Sequence, residues 1–186
     1  MLIQVISDIH GSFPDLQTAL DAMADRKPDL ILLCGDYLNH GPRNDLPAGY
    51  DTKACAALLN GCREKIICVR GNCDSEVDQM MLEFPALAEY ALIPLGERTI
   101  FATHGHIWNT QNVPSLGRGD VLLCGHTHVP CCETFGAGHV YINPGAVSFP
   151  KNGSPRSYMT LEDGVFCWKT LDGEVFRRID ISEDLK

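Results

Sequence analysis

A chain of 186 residues, 45% of them hydrophobic, can bury a full core, and its length favours one domain over two. Its formal charge of -9 excludes a broad basic surface for tracking nucleic acid, which needs many Lys and Arg contacts, and leaves room only for a local cationic pocket. The longest apolar runs, such as LILLC at Leu30–Cys34, fall far short of a membrane span, and LIQVI at the start lacks the basic flank of a signal peptide, so the expectation is a soluble, cytoplasmic protein with no membrane partner.

The first predicted element is a strand, LIQVIS (Leu2–Ser7). A helix follows over Pro14–Arg26, with Leu16, Ala19, Leu20 and Met23 at helical spacing and a proline near its start. DLILLCGD (Asp29–Asp36) reads as a second, buried strand, TKACAALLNGC as a helix closing near Gly61, and KIICVRGN (Lys65–Asn72) as a third strand. Strands and helices alternating at this length imply a parallel sheet with right-handed crossovers. From Arg98 the pattern changes: RTIFATH, DVLLCGH, HVYINPG, SYMTL, VFCWKTL and EVFRRIDI read as successive strands separated by turn residues. The expectation is a single domain over 1–186, with an α/β half at about 1–95 and a β-rich half at about 96–186 whose sheets face each other, helices outside.

Nine cysteines, odd in number and without a CxxC pair, make a poor disulfide framework and a poor structural zinc site. They read as reduced thiols used as small core residues, and Cys34, Cys68 and Cys124 as strand residues.

Polar chemistry recurs where the apolar runs stop. LIQVIS ends in Asp8-Ile9-His10, LILLC in Gly35-Asp36, IICVR in Gly71-Asn72-Cys73-Asp74, TIFAT in His104-Gly105-His106 and VLLC in Gly125-His126-Thr127-His128. In open α/β sheets the crevice outside the carboxyl ends of the strands is the usual binding place, so these residues can converge. On an extended segment His126 and His128 point the same way with attachment points ~6.6 Å apart, and Asp8 and His10 repeat that spacing. Two metals held ~3.5–4 Å apart could each take one imidazole. Asp36, with two oxygens, could bridge both, while Asn72 offers an amide oxygen and His104 another nitrogen.

The ordered set DIH, GDY, RGNCD, THGH and GHTH resembles the calcineurin-like metallophosphoesterases over Asp8–His128, and NHGPRNDLPAGY with VRGNCDSEVDQM resembles the small YfcE-type branch of that family. The resemblance implies a β-sandwich of two facing mixed sheets flanked by helices in four layers. It implies one metal held by Asp8, His10, Asp36 and His128 and a second by Asp36, Asn72, His104 and His126. It also implies hydrolysis of a small-molecule phosphodiester by a metal-bridging hydroxide, with Asn72, Cys73, Asp74 and His104 as catalytic residues. The ligands are all nitrogen or oxygen; Mn2+ is the expected ion, with Fe2+, Zn2+, Ni2+ or Co2+ admissible. Many members carry GNH where this chain has Gly71-Asn72-Cys73, and that histidine is understood to donate a proton to the leaving group with an adjacent acid orienting it. Cys73 stands in its place here, and a thiol is the weaker acid catalyst at pH 7.

His40, Arg43 and His106 are candidate substrate contacts, the first two on a long loop. His139 reads as structural, Asn143-Pro144-Gly145 as a turn, and Arg177 with Arg178 as a solvated face. The alternative function is a non-catalytic metal-binding scaffold on the same fold that mediates protein interaction. Such proteins lose ligands, whereas all seven positions are filled here. No HxHxDH run, GxGxxG or GxxxxGK[ST] occurs, and the sequence leaves homo-oligomerisation open.

Overall fold

The computed structural model describes residues 1–181; the last positions of the expected domain, 182–186, lie outside them. In chain order the strands are β1 (Leu2–Ile6), β2 (Leu30–Leu33), β3 (Ile66–Cys68), β4 (Tyr90–Leu95), β5 (Arg98–Thr103), β6 (Val121–Cys124), β7 (Cys131–Phe135), β8 (His139–Asn143), β9 (Ser157–Glu162), β10 (Val165–Thr170) and β11 (Val175–Asp180). The helices are α1 (Phe13–Asp21), α2 (Thr52–Gly61) and the single turn α3 (Glu76–Gln79). Pro14 lies in the first turn of α1, and the Asp51 side chain caps α2 by accepting the Ala54 N–H at 2.9 Å. α1 stops at Asp21, short of the expected Arg26, with no basic residue in its last turn to offset the helix dipole.

The strands form two mixed sheets, ordered β11-β10-β9-β1-β2-β3 and β4-β5-β6-β8-β7. β1, β2 and β3 run parallel, as the strand–helix alternation predicted. The sheets do not follow the two halves of the sequence, however. β9 returns from the C-terminal half to pair antiparallel with β1, in the register Val5 to Met159, so both ends of the chain build the six-stranded sheet and its middle builds the other. The strands missed in the sequence, β4 and β7, are both edges of the five-stranded sheet, where β4 carries Pro94 and each alternates half-exposed residues rather than presenting an apolar run.

Side chains of β1 alternate between two cores. Leu2 and Ile6 pack with Leu16, Ala19, Cys55 and Leu59 beneath α1 and α2, whereas Ile3 and Val5 pack between the sheets with Val121, Leu123, Phe166 and Trp168. A third cluster, of Phe101, Leu122 and Tyr141, lies on the outer face of the five-stranded sheet and is covered by Trp108 and Leu116 from a loop. Trp168 is fully buried, its indole N–H donating to the Asn143 carbonyl at 2.7 Å. Arg177 is not simply solvated: its guanidinium lies 5.0 Å from the Trp168 ring centroid and donates to the Cys132 carbonyl. All nine cysteines are free.

Candidate metal centre

Each candidate ligand follows a strand end. Asp8 and His10 follow β1, Asp36 follows β2 and Asn72 follows β3 in one sheet; His104 follows β5, and His126 and His128 follow β6 in the other. The crevice across the tips of the two sheets therefore collects all seven. The segments carrying them are not extended, which corrects the simplest reading of the i, i+2 spacing. Asp8, His10, Asp36, His126 and His128 all have φ between 50° and 65°, the left-handed region that side-chain-bearing residues seldom adopt. Left-handed residues let the chain turn inward after each strand while keeping backbone pairs, as in His10 N–H to Asp36 O at 2.9 Å and Ser148 N–H to Asp8 O at 3.3 Å.

Close approach also demands glycine. A Cβ at Gly125 would come 2.8 Å from Asp8 Oδ2 and collide with Ser7 Oγ, and one at Gly71 would strike the Asp36 carboxylate.

The imidazoles are aimed by backbone carbonyls. Nδ1 of His10 faces Asn39 O at 2.9 Å, Nδ1 of His104 faces Cys34 O at 2.7 Å and Nδ1 of His128 faces Phe149 O at 2.6 Å. A carbonyl only accepts, so each Nδ1 carries the proton and each neutral ring turns an Nε2 lone pair inward. Those lone pairs meet other acceptors. His10 Nε2 lies 3.4 Å from His128 Nε2, 3.6 Å from Asp36 Oδ2 and 3.8 Å from Asp8 Oδ1. His104 Nε2 lies 3.1 Å from Asn72 Oδ1, 3.2 Å from His126 Nδ1 and 3.4 Å from Asp36 Oδ2. Asp8 Oδ1 is buried and has no hydrogen-bond donor. Acceptors converging on acceptors in a buried pocket repel unless a cation lies among them, and second-partner carbonyls on metal-binding imidazoles are the usual way such ligands are oriented. The residues present thus fit divalent metal.

One oxygen, Asp36 Oδ2, faces both groups; Oδ1 is tied to the Cys73 N–H at 2.8 Å.

Electrostatics agree. Burial opposes ionisation of Asp36 and Asp8, yet the imidazoles beside them hold both below the usual carboxylate range. Burial alone would lower His104, but Asp36 and Asp8 outweigh it and raise it to about 9, so in metal-free protein a proton takes the cation's part. Burial lowers His10 and His126. The sign of the pH effect follows. The charged His104 contributes stability in full below its ordinary value of 6.5, and that contribution is lost as pH rises through about 9. Metal must displace the same proton, so affinity runs the other way. Metal-free protein is expected to melt at progressively lower temperature between these pH values while Mn2+ affinity by calorimetric titration rises; flat profiles would contradict the assignment of His104.

Asp74, expected as the acid that orients a proton donor, also has a structural task. Its buried carboxylate accepts three backbone N–H groups, from Asp36 at 2.7 Å, Tyr37 at 2.8 Å and Gly71 at 2.6 Å, and so clamps the loops after β2 and β3 together. Burial and the neighbouring Asp36 push it up to about 7 against the pull of those amides. Asp74→Ala strands three buried donors and is expected to cost about 3 kcal/mol in urea unfolding, read as a lower midpoint at constant slope. A loss within experimental error would remove the clamp.

The ligands floor a cavity of about 670 Å3 whose walls include Asn39, Arg43, Asn44, Cys73 and Lys151. Arg43, a candidate substrate contact, thus lines the cavity. His40 does not line this cavity: its ring turns edge-on to Tyr50 at 5.5 Å. His106 is exposed, 5.3 Å from the His104 ring, in clefts flanking the centre. Lys151 was not foreseen, and Asn143 was read only as part of a turn; its buried amide donates to Gly125 O at 2.6 Å and Thr127 Oγ1 at 3.0 Å and so braces the GHTH loop. The NPG turn was the available signal for Asn143. Lys151, a lone loop cation, offered none.

A family model of the calcineurin-like phosphoesterase superfamily domain matches residues 1–163. The chain belongs to the calcineurin-like phosphoesterase superfamily. It is a phosphoesterase, of a family that works with divalent metal. Phosphodiesterase YfcE of Escherichia coli K12 is 46% identical to it over 165 residues, 89% of each chain. A solved structure of the E. coli YfcE phosphoesterase superimposes with a TM-score of 0.93 at 43% identity, covering 97% of this calcineurin-like chain and 100% of that one. The probable metallophosphoesterase YsnB of Bacillus subtilis is 29% identical over 173 residues, 88% of this chain and 86% of the relative. The two facing mixed sheets are the fold of these calcineurin-like enzymes. No helix among the described residues is long and apolar enough to cross a membrane.

Proposed function

We propose that this chain is a single-domain phosphodiesterase, over residues 1–186, that hydrolyses a small-molecule phosphodiester at a centre of two divalent metal ions, Mn2+ foremost. Asp8, His10, Asp36 and His128 would hold one ion and Asp36, Asn72, His104 and His126 the other. The observation that carries this reading is the double convergence of acceptor atoms on Asp36 Oδ2, with each Nδ1 of His10, His104 and His128 committed to a carbonyl. Divalent ions held there would supply positive charge for the phosphoryl oxygens and would acidify a water at neutral pH.

The chain's own groups do the rest. Carbonyls of Cys34, Asn39 and Phe149 keep a proton on Nδ1 of each imidazole, so that Nε2 is the atom each ring presents to a ligand. The Cys73 amide fixes the rotation of the Asp36 carboxylate. The Asn72 amide N–H donates to Cys73 Sγ at 3.2 Å, which leaves Asn72 Oδ1 directed at His104 Nε2. Similarity to YfcE supports the diesterase preference, and nine free thiols support a reducing, cytoplasmic setting. A scaffold role would tolerate lost ligands, and all seven converge here.

A screen of phosphomonoesters, phosphodiesters and cyclic nucleotides with each admissible metal tests the reading, with turnover and metal content measured on one preparation. Hydrolysis of diesters by the Mn2+-loaded protein is expected; a fully metallated protein inert to every ester would contradict it.

A further inference from the structure

Two cations enter the cavity from different loops. Arg43 stands on the loop that follows Asp36, and Lys151 on the loop after β8, its backbone N–H donating to the His128 carbonyl at 3.3 Å. Among the described residues neither side chain takes part in an ion pair or a hydrogen bond, whereas Arg26, Arg63 and Arg156 each meet a carboxylate. Among the described residues Asp36 is the only carboxylate lining the cavity, and its two oxygens are engaged with the Cys73 amide and the imidazoles. In a protein of net charge -9, two unpaired cations beside one buried centre are a local reversal of sign.

The cavity has a second property. Its walls carry the amides of Asn39 and Asn44 but no aromatic ring outside the candidate ligands and no aliphatic side chain apart from Pro42. A nucleobase would find nothing to stack on, and an acyl chain nothing to lie against. With two dications against two ligand carboxylates the centre holds about +2, and Arg43 and Lys151 bring the cavity to about +4, more than one diester anion answers.

We propose that Arg43 and Lys151 form a second anion subsite, and that the preferred substrate is a small phosphodiester one arm of which carries a further carboxylate or phosphate on a short polar chain. This rests on the phosphodiesterase reading above and specifies its substrate class. Water adds at phosphorus and gives up a proton, the P–O bond to the leaving arm breaks with its electron pair departing on that oxygen, and the anionic arm stays on the phosphomonoester, held beside the two cations.

The test uses p-nitrophenyl phosphodiesters of matched length whose second arm is ethyl, choline, 2-carboxyethyl or 2-phosphoethyl, with the metal-loaded protein. The anionic arms are expected to raise kcat/KM about tenfold over ethyl, chiefly through KM, with choline below ethyl and the spread shrinking as salt is added. Arg43→Ala and Lys151→Ala should each narrow the ratio of anionic to ethyl arms, and the double variant should bring it to about one, while Lys151→Arg retains it. Equal kcat/KM for all four arms, or a preference surviving in the double variant, overturns the subsite. Turnover of none of them overturns the phosphodiesterase reading itself, so the two failures are distinguishable.

Discussion

Asp36→Asn is expected to remove hydrolysis and metal together. Asp36 Oδ2 is the one atom that faces both groups, 3.6 Å from His10 Nε2 and 3.4 Å from His104 Nε2. The amide is nearly the same size, and its oxygen can keep the Cys73 N–H at the other position. Its NH2 group would then point two donors to where a cation belongs, and one of two countercharges would be gone. Loss of an outer partner of a metal ligand costs about 10–100-fold, so losing an atom shared by both groups should lower kcat/KM by about 10³-fold or more. Metal content by mass spectrometry should fall in step while circular dichroism keeps the native spectrum. Full activity with intact metal would refute the assignment of Asp36.

The second large effect is on leaving groups. Cys73 is the residue beside the centre in the place of a proton-donating histidine, and it is half-buried, pushed up to about 12 by burial and by Asp36. Asp74, which would orient such a donor, already holds three backbone amides. Neither Cys73 nor Asp74 is therefore well suited to protonate a departing alkoxide. Diesters with acidic aryl leaving groups need little protonation, and their kcat/KM should exceed that of alkyl monoesters by about 10²–10⁴-fold, the span general acid catalysis ordinarily supplies. A shallow dependence of rate on leaving-group pKa, measured over a series of aryl and alkyl esters, would show that another group delivers the proton.

What the sequence disclosed and what it withheld divide along physical lines. The residues that converge on the crevice were legible because they follow apolar runs: Ile6 leads to Asp8, Leu33 to Asp36, Cys68 to Asn72, Thr103 to His104 and Cys124 to His126. β1 to β3 were legible because buried parallel strands are continuous apolar runs. β4 and β7 were not, since edge strands need no such pattern, and the pairing of β9 with β1 joins residues about 150 positions apart, a separation that local periodicity does not encode. The carbonyls of Cys34, Asn39 and Phe149 that orient the imidazoles are backbone atoms, so residue type carries no trace of them. The left-handed turns at His126 and His128 were hidden for a related reason: that region is uncommon for any residue with a side chain, and although histidine enters it more often than most, residue type alone does not place it. Asp74 entered the catalytic set through the family resemblance, and the three backbone amides its carboxylate accepts left no trace in residue type.

The central claim is that seven side chains gather two divalent ions about Asp36. Titrating chelator-stripped protein with Mn2+, following bound ions per chain and hydrolysis of an aryl phosphodiester in the same samples, tests it most directly. Two ions per chain are predicted, with activity appearing as the second site fills. Saturation at one ion, or undiminished turnover in the stripped protein, would contradict it.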